Sequence, residues 1–258
     1  MISQQVAPYK VSAVDPGSTA DSSGFGIASD GQTYVIKSPT TNPLLPATEA
    51  FCESLAIACQ LPTTVGAWLD VGGVSCYGSR FEGGLSRPLA RGTYLEVSAR
   101  KRDWQRCSMP EVASAAFAFD LFVFNYDHHH NNWAFQDQNA TRTARIFDFS
   151  RAWWVNAADP SQLPAPSSMQ HMDPRQERTC ATFRDVCKWV PLNTQAAQNV
   201  LDFLASIPPN WVENQMRSLP PGWLDSATQH TTLQWWQSPQ RLQRIQEIEQ
   251  GLKNGNLF

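Results

Sequence analysis

Charge is scarce in this 258-residue chain. Asp, Glu, Lys and Arg together make up 17% of it, and the net charge is −3. With a pI near 5.9, no general attraction to nucleic acid or to an anionic membrane is expected. Cysteine is present at positions 52, 59, 76, 107, 180 and 187, but never as CxxC. That spacing argues against a zinc site, and it predicts buried free thiols. The N-terminal stretch MISQQVAPYK lacks the apolar centre of a secretory signal. The longest apolar run, 112-VASAAFAFDLFVF-124, is interrupted by Asp120 and is too short to span a bilayer. A soluble, cytoplasmic protein without membrane contact is therefore expected. What the chain has in quantity is aromatic mass: ten Trp within a hydrophobic content of 42%, enough for a sizeable core.

Along the chain, 24-GFGIA-28 and 32-QTYVIK-37 flank Asp30-Gly31, which predicts a hairpin. Pro46 opens a helix over 47–61 that Pro62 closes, with Phe51, Leu55 and Ala58 at helical spacing. Residues 63–85 alternate Gly with short apolar pieces, which suits strands and a crossover connection. Pro110 starts a helix to about Phe124 that is apolar nearly all round and hence buried. A polar loop over 125–132 follows, then strands at 133–136 and 144–149, and a Pro- and Ser-rich loop at 156–176. Helices are predicted at 177–190, 194–206, 208–218 and 238–252. In the last of these, Leu242, Ile245, Ile248 and Leu252 form an apolar stripe facing the core. The expected fold is α+β and two-lobed like a protein kinase, a single domain over 1–258. Its small β-rich N-lobe covers about 1–85, and a larger helical C-lobe covers about 86–258.

The residues that carry chemistry lie in and around 125-NYDHHHNN-132. Asp127 and Asn132 are separated by four residues, and Asp148 follows Asn132 by 16, in 148-DFS-150. Phosphoryl transfer needs a carboxylate to orient the attacking hydroxyl and take its proton. It also needs an amide oxygen and a second carboxylate to hold Mg²⁺ against the phosphates. The kinase order D-x-x-x-x-N followed by D-F-G is matched here except at the glycine. On the N-terminal side, 34-YVIK-37 ends a β-branched strand in Lys37, the arrangement of V-A-I-K. Glu49 lies 12 residues on, in the first turns of the helix, where it could pair with Lys37. Glu53, one turn later, competes for that role. Each signal is common by itself, whereas their joint order is hard to obtain by chance.

The sequence 125-NYDHHHNN-132 resembles the N-x-D-R-H-x-x-N catalytic loop of HipA-like kinases, relatives in fold of the phosphoinositide 3/4-kinases. Likewise 48-TEAFCESLAIACQLP-62 resembles the family helix N-E-x-x-x-x-x-L-A-x-x-L-G-L-P, which selects Glu49 over Glu53. The segment 76-CYGSRFEGG-84 resembles the family's glycine-serine strand. The resemblance implies ATP and Mg²⁺ as cofactors, Asp127 as catalytic base, and Asn132 and Asp148 as metal ligands. It implies Lys37 on the nucleotide phosphates with Glu49 supporting it, and His129 orienting the loop or the transferring phosphate. It also implies autophosphorylation in the loop before Lys37, where Ser18, Ser22 and Ser23 are candidates and Ser22 and Ser23 would line the phosphates. A Ser or Thr of a protein would be the acceptor. Full-length HipA-like toxins carry a further N-terminal portion and pair with a DNA-binding antitoxin. Since this chain starts almost at the nucleotide lobe, such a partner is not implied.

Two departures stand out: His128 replaces the family's Arg, and 148-DFS-150 lacks a glycine. Three adjacent histidines point in diverging directions, so His128, His129 and His130 do not predict a zinc site. His130 reads as a packed or solvated loop residue. The rival reading is a non-catalytic kinase-like module that binds nucleotide or a partner, and a third is transfer to a lipid or small molecule. The complete set of Lys37, Glu49, Asp127, Asn132 and Asp148 favours catalysis.

Overall fold

A computed structural model of the chain describes residues 7–15, 24–81, 108–138, 141–166, 177–188 and 190–255. Strands β1 (Tyr9–Asp15), β2 (Phe25–Ala28) and β3 (Thr33–Lys37) are followed by helix α1 (Leu45–Ala58), then β4 (Gly66–Val71) and β5 (Val74–Phe81). The five strands close into a barrel in the order β1-β2-β3-β5-β4. The β2–β3 turn forms as predicted. Gly31 takes φ +78°, and the Asp30 carboxylate accepts from the Gln32 amide at 3.0 Å and the Tyr34 hydroxyl at 2.8 Å. Between β4 and β5, the expected crossover is instead a tight hairpin. Gly72 and Gly73 both have positive φ, the backbone a two-residue primed turn requires, and Val71 pairs with Val74 across it. Alternation along β3 sends Tyr34 and Ile36 into the barrel, where they pack with Leu69, Cys76 and Ala28. Lys37 is thereby turned to the opposite face, which looks at α1 and the second half of the molecule.

That second half begins with helix α2 (Met109–Val123), followed by a 3₁₀ turn (His130–Asn132) and the hairpin β6 (Trp133–Gln138) and β7 (Thr141–Ile146). Next come a one-turn helix α3 (Trp153–Asn156), α4 (Glu177–Cys187), α5 (Thr194–Ser206), α6 (Pro209–Ser218), α7 (Ser226–Gln237) and α8 (Pro239–Lys253). Every residue of α2 except Glu111 is buried, which explains its lack of a polar face. The aromatic surplus is spent around it. Phe51 of α1 meets Trp153 and Trp154, while Trp153 stacks on Trp236 and touches Phe122 and Trp235. Helix α7 escapes prediction because its only apolar residues beyond Ala227 are Leu233, Trp235 and Trp236. It forms because both tryptophans complete this cluster, and the Trp236 indole N–H is bonded to the Ile207 carbonyl at 3.0 Å.

The stripe on α8 needs one correction. Ile245, Ile248 and Leu252 are buried, but Leu242 is 43% exposed, and Arg244 takes the interior position. Cys52, Cys59, Cys76 and Cys180 are buried free thiols, and Cys187 is half-buried. The expected lobe boundary near residue 85 and the glycines beyond Phe81 lie outside the described residues. Among the described residues no helix is long and apolar enough to cross a membrane.

Candidate active site

The loop that carries Asp127 is anchored before it begins. Arg244 of α8 donates to the Phe122 carbonyl at 2.9 Å and the Leu121 carbonyl at 2.6 Å. A cation on the last carbonyls of α2 satisfies acceptors that a helix end leaves unpaired, and it complements the helix dipole. Burial lowers the Arg244 pKa to about 10, so it remains charged at neutral pH. Phe124 then turns the chain through the left-handed region at φ +53°. Asn125 closes the turn: its N–H bonds the Asp120 carbonyl, and its side-chain amide donates to Asp120 Oδ1 at 3.0 Å.

Asp120, the residue that interrupts the apolar run, is fully buried, and its other oxygen lies 2.6 Å from His128 Nδ1. Burial raises the Asp120 pKa, and the facing imidazole opposes that shift. His128 is itself fully buried, with its ring against Trp133 and Phe183. The histidine that stands in place of an arginine therefore points inward, where it anchors the loop. Of its neighbours, His130 is half-exposed and 4.0 Å from Asp185. His129 is partly buried and senses the charges of both Asp127 and Asp148. Burial outweighs them and lowers its pKa, so it is neutral at pH 7.

Asp127 is 23% exposed, and its carboxylate accepts from Arg178 of α4. The Asn132 side-chain amide donates to the Asp127 backbone carbonyl at 2.9 Å, which leaves Asn132 Oδ1 as an acceptor on a buried side chain. The Asn132 carbonyl accepts from the Phe147 amide at 3.1 Å, fastening the loop to the segment that carries Asp148. Asp148 sits just past β7, at φ +72°, a left-handed conformation unfavourable for a residue with a Cβ. Lys37 Nζ reaches Asp148 Oδ1 at 2.7 Å and the Ser150 hydroxyl at 3.2 Å, and Ser150 also donates to Asp148. Burial alone would raise Asp148. The Lys37 charge and the hydrogen bonds from Lys37 and Ser150 outweigh it and hold the carboxyl at about 2.

Glu49 lies beneath this pair. Its Oε1 accepts from the Ser79 hydroxyl at 3.2 Å, while Oε2 is buried without a hydrogen-bond partner among the described residues. Burial pushes Glu49 up, to about 7, against the Lys37 charge and with the help of Asp148. Glu53 has separate work. Its Oε1 accepts from the Gly66 amide at 2.6 Å and the Tyr77 hydroxyl at 2.7 Å, locking α1 to β4 and β5. A Cβ at Gly66 would fall 1.9 Å from the Tyr77 hydroxyl, so that position requires glycine. Burial raises Glu53 to about 8, against the bonds from Tyr77 and Gly66.

A buried carboxyl raised in this way stabilises the fold fully below its unfolded value near 4.5, and the benefit disappears as pH rises through 7 for Glu49 and 8 for Glu53. Thermal stability should therefore decline as pH rises from roughly 5 to 8. Glu53→Gln keeps the carbonyl that accepts both bonds. It should flatten that decline and melt above wild type at about pH 8. Melting curves of the two proteins across this range check it, and parallel slopes would contradict the assignment.

The structure thus brings Lys37, Glu49, Asp127, His129, Asn132 and Asp148 to one side of the junction between barrel and helices. Ser18, Ser22 and Ser23 lie outside the described residues. Four contributors went unnoticed in the sequence: Arg178, Thr179, Ser150 and Arg244. Only Ser150 had a local signal, as the residue after Asp-Phe. Among the described residues no group of three or more His, Cys, Asp or Glu is arranged to hold a metal by itself.

No protein-family model matches the chain, and no curated protein matches it in sequence. Solved structures do. One is the proinflammatory kinase CtkA of Helicobacter pylori, at 13% identity and a TM-score of 0.52, covering 94% of this chain and 96% of that one. The fold is that of the HipA-like kinases. A second match is HipA of Shewanella oneidensis MR-1, solved with HipB and operator DNA. It has 10% identity and a TM-score of 0.50, with 87% of this chain covering 59% of that one. At these identities the likeness is one of architecture, and the chemistry rests on the residues.

Proposed function

We propose that the chain is a phosphotransferase that uses ATP with Mg²⁺ and transfers the γ-phosphoryl group to a Ser or Thr hydroxyl of a protein. The observation that carries this reading is the ion pair between buried Lys37 and partly exposed Asp148. It joins the barrel to the segment after β7, which the Phe147 amide fastens to the Asn132 carbonyl of the loop that holds Asp127.

The donors fit a magnesium ion. Mg²⁺ takes hard oxygen ligands, is held by one or two carboxylates, and shares substrate phosphates. Asn132 Oδ1 and the fully ionised Asp148 supply such oxygens. When bound, the ion would neutralise charge on the β- and γ-phosphates. Lys37 would shift from Asp148 towards the phosphates, with Glu49 beside it to share its charge. Asp127 accepts the acceptor's proton as the new P–O bond forms and the bond from the γ-phosphorus to the β–γ bridging oxygen breaks, releasing ADP. Neutral His129 donates a hydrogen bond to the transferring group. Catalysis then comes mainly from placement and electrostatics.

The acceptor class is tested by incubating the protein with γ-labelled ATP, Mg²⁺ and a cell lysate. Label is expected in phosphoserine or phosphothreonine, some of it on the protein itself between residues 15 and 26. Label recovered only in lipid or small molecules would overturn the acceptor assignment. Nucleotide binding with no transfer at all would favour the interaction module.

A further inference from the structure

Helix α4 approaches the catalytic loop with two consecutive residues. The Thr179 hydroxyl accepts from the His128 amide at 2.9 Å and donates to the Asn125 carbonyl at 2.8 Å. One buried hydroxyl thereby uses both its functions on the loop, on either side of Asp127. Its neighbour Arg178, 64% exposed, binds the Asp127 carboxylate from the open side. One turn on, Phe183 sits under the His128 ring, at 5.9 Å between centroids, and against Phe117 of α2 at 4.4 Å.

We propose that the first turn of α4 is a positioning element of the transfer site, with Thr179 fixing the backbone at Asp127 and Arg178 fixing its side chain. The inference rests on the phosphotransferase reading of Asp127. The loop needs such a clamp because residues 125–129 have no regular secondary structure of their own. The internal bond from the Asp127 amide to Asn125 Oδ1 is long, at 3.4 Å. The firm bonds that Asp127 itself receives, from the His129 amide and the Asn132 side chain, both end on its backbone carbonyl, while the ties of Asn125 to Asp120 lie two residues earlier. Thr179 adds a tie that spans Asp127, from the Asn125 carbonyl to the His128 amide. A displacement of about 1 Å at a reacting group costs on the order of 100-fold in rate, so a hydroxyl that never touches substrate acts on turnover.

Thr179→Val preserves the shape and removes both bonds, and Thr179→Ser restores them. We expect Thr179→Val to lower phosphoryl transfer by roughly 10- to 100-fold, with Mg-ATP affinity unchanged and Thr179→Ser within a few-fold of wild type. Arg178→Gln should lower transfer in the Asp127 enzyme, with no further loss in an Asp127→Asn background. Hydrogen exchange of the peptide over 125–132 gives a readout that needs no activity, and Thr179→Val should accelerate it. Wild-type transfer rates in Thr179→Val would overturn the clamp. So would equal damage in Thr179→Ser, or losses that follow nucleotide affinity and melting temperature instead of turnover. If wild type transfers no phosphate, the phosphotransferase reading fails; unchanged exchange in Thr179→Val refutes the clamp independently.

Discussion

Asp148→Asn should abolish phosphoryl transfer and remove the dependence of ATP binding on Mg²⁺. The isosteric amide keeps an oxygen but loses the charge that Lys37 and Ser150 hold ionised down to about pH 2. Titration of ATP with and without Mg²⁺ should show a clear Mg²⁺ gain in wild type and none in the variant. Full Mg²⁺-dependent affinity in Asp148→Asn would show that the metal assignment is wrong. The effect on the fold should be smaller than usual. Removing one member of a fully buried pair costs about 3–5 kcal/mol, because it strands the other charge, but Asp148 is partly exposed. Here Glu49 lies beside Lys37, and its proton is retained partly because Asp148 repels a second negative charge. With that charge gone, Glu49 can ionise and take over as the partner of Lys37.

The second large effect is expected at Asp127. Asp127→Asn should cut turnover by roughly 10²- to 10⁴-fold, the contribution of a positioned general base. Mg-ATP affinity should change little, because the metal and the phosphates are assigned to Asn132, Asp148 and Lys37, which the substitution leaves intact. Melting should also change little, since the ion pair lost is with an exposed arginine, an interaction worth about 0–1 kcal/mol. The loop keeps its shape through the Asp127 backbone carbonyl, which the substitution leaves alone. Steady-state kinetics beside nucleotide titration would separate these. A fall in affinity that matched the fall in rate would place Asp127 in binding instead.

The sequence revealed what is local. A β-branched strand ending in Lys37, a helix carrying Glu49, and D-x-x-x-x-N followed by Asp-Phe each lie within one element or one turn. Their order already pointed to a kinase-like fold. What it hid were contacts between distant segments. Thr179 meets His128 across 51 positions, and Arg244 meets the end of α2 across 122. Neither residue has a neighbour that marks it. The histidine triplet shows the limit well. Diverging directions argued against a zinc site there but did not say which histidine serves the loop: the fold buries His128 on Asp120, leaves His130 partly exposed, and brings His129 near the two aspartates. The glycine pair before β5 was misjudged as part of a crossover because glycines alone do not say whether a chain turns back at once. The Val71–Val74 pairing decides that.

The central claim is that Asp127 acts in phosphoryl transfer at a site built around Lys37 and Asp148. Its most direct test is transfer of label from γ-labelled ATP with Mg²⁺, with wild type and Asp127→Asn measured side by side at equal, saturating nucleotide. Label should accumulate with wild type and be at least about 100-fold slower with the variant. Equal accumulation in both would contradict the claim.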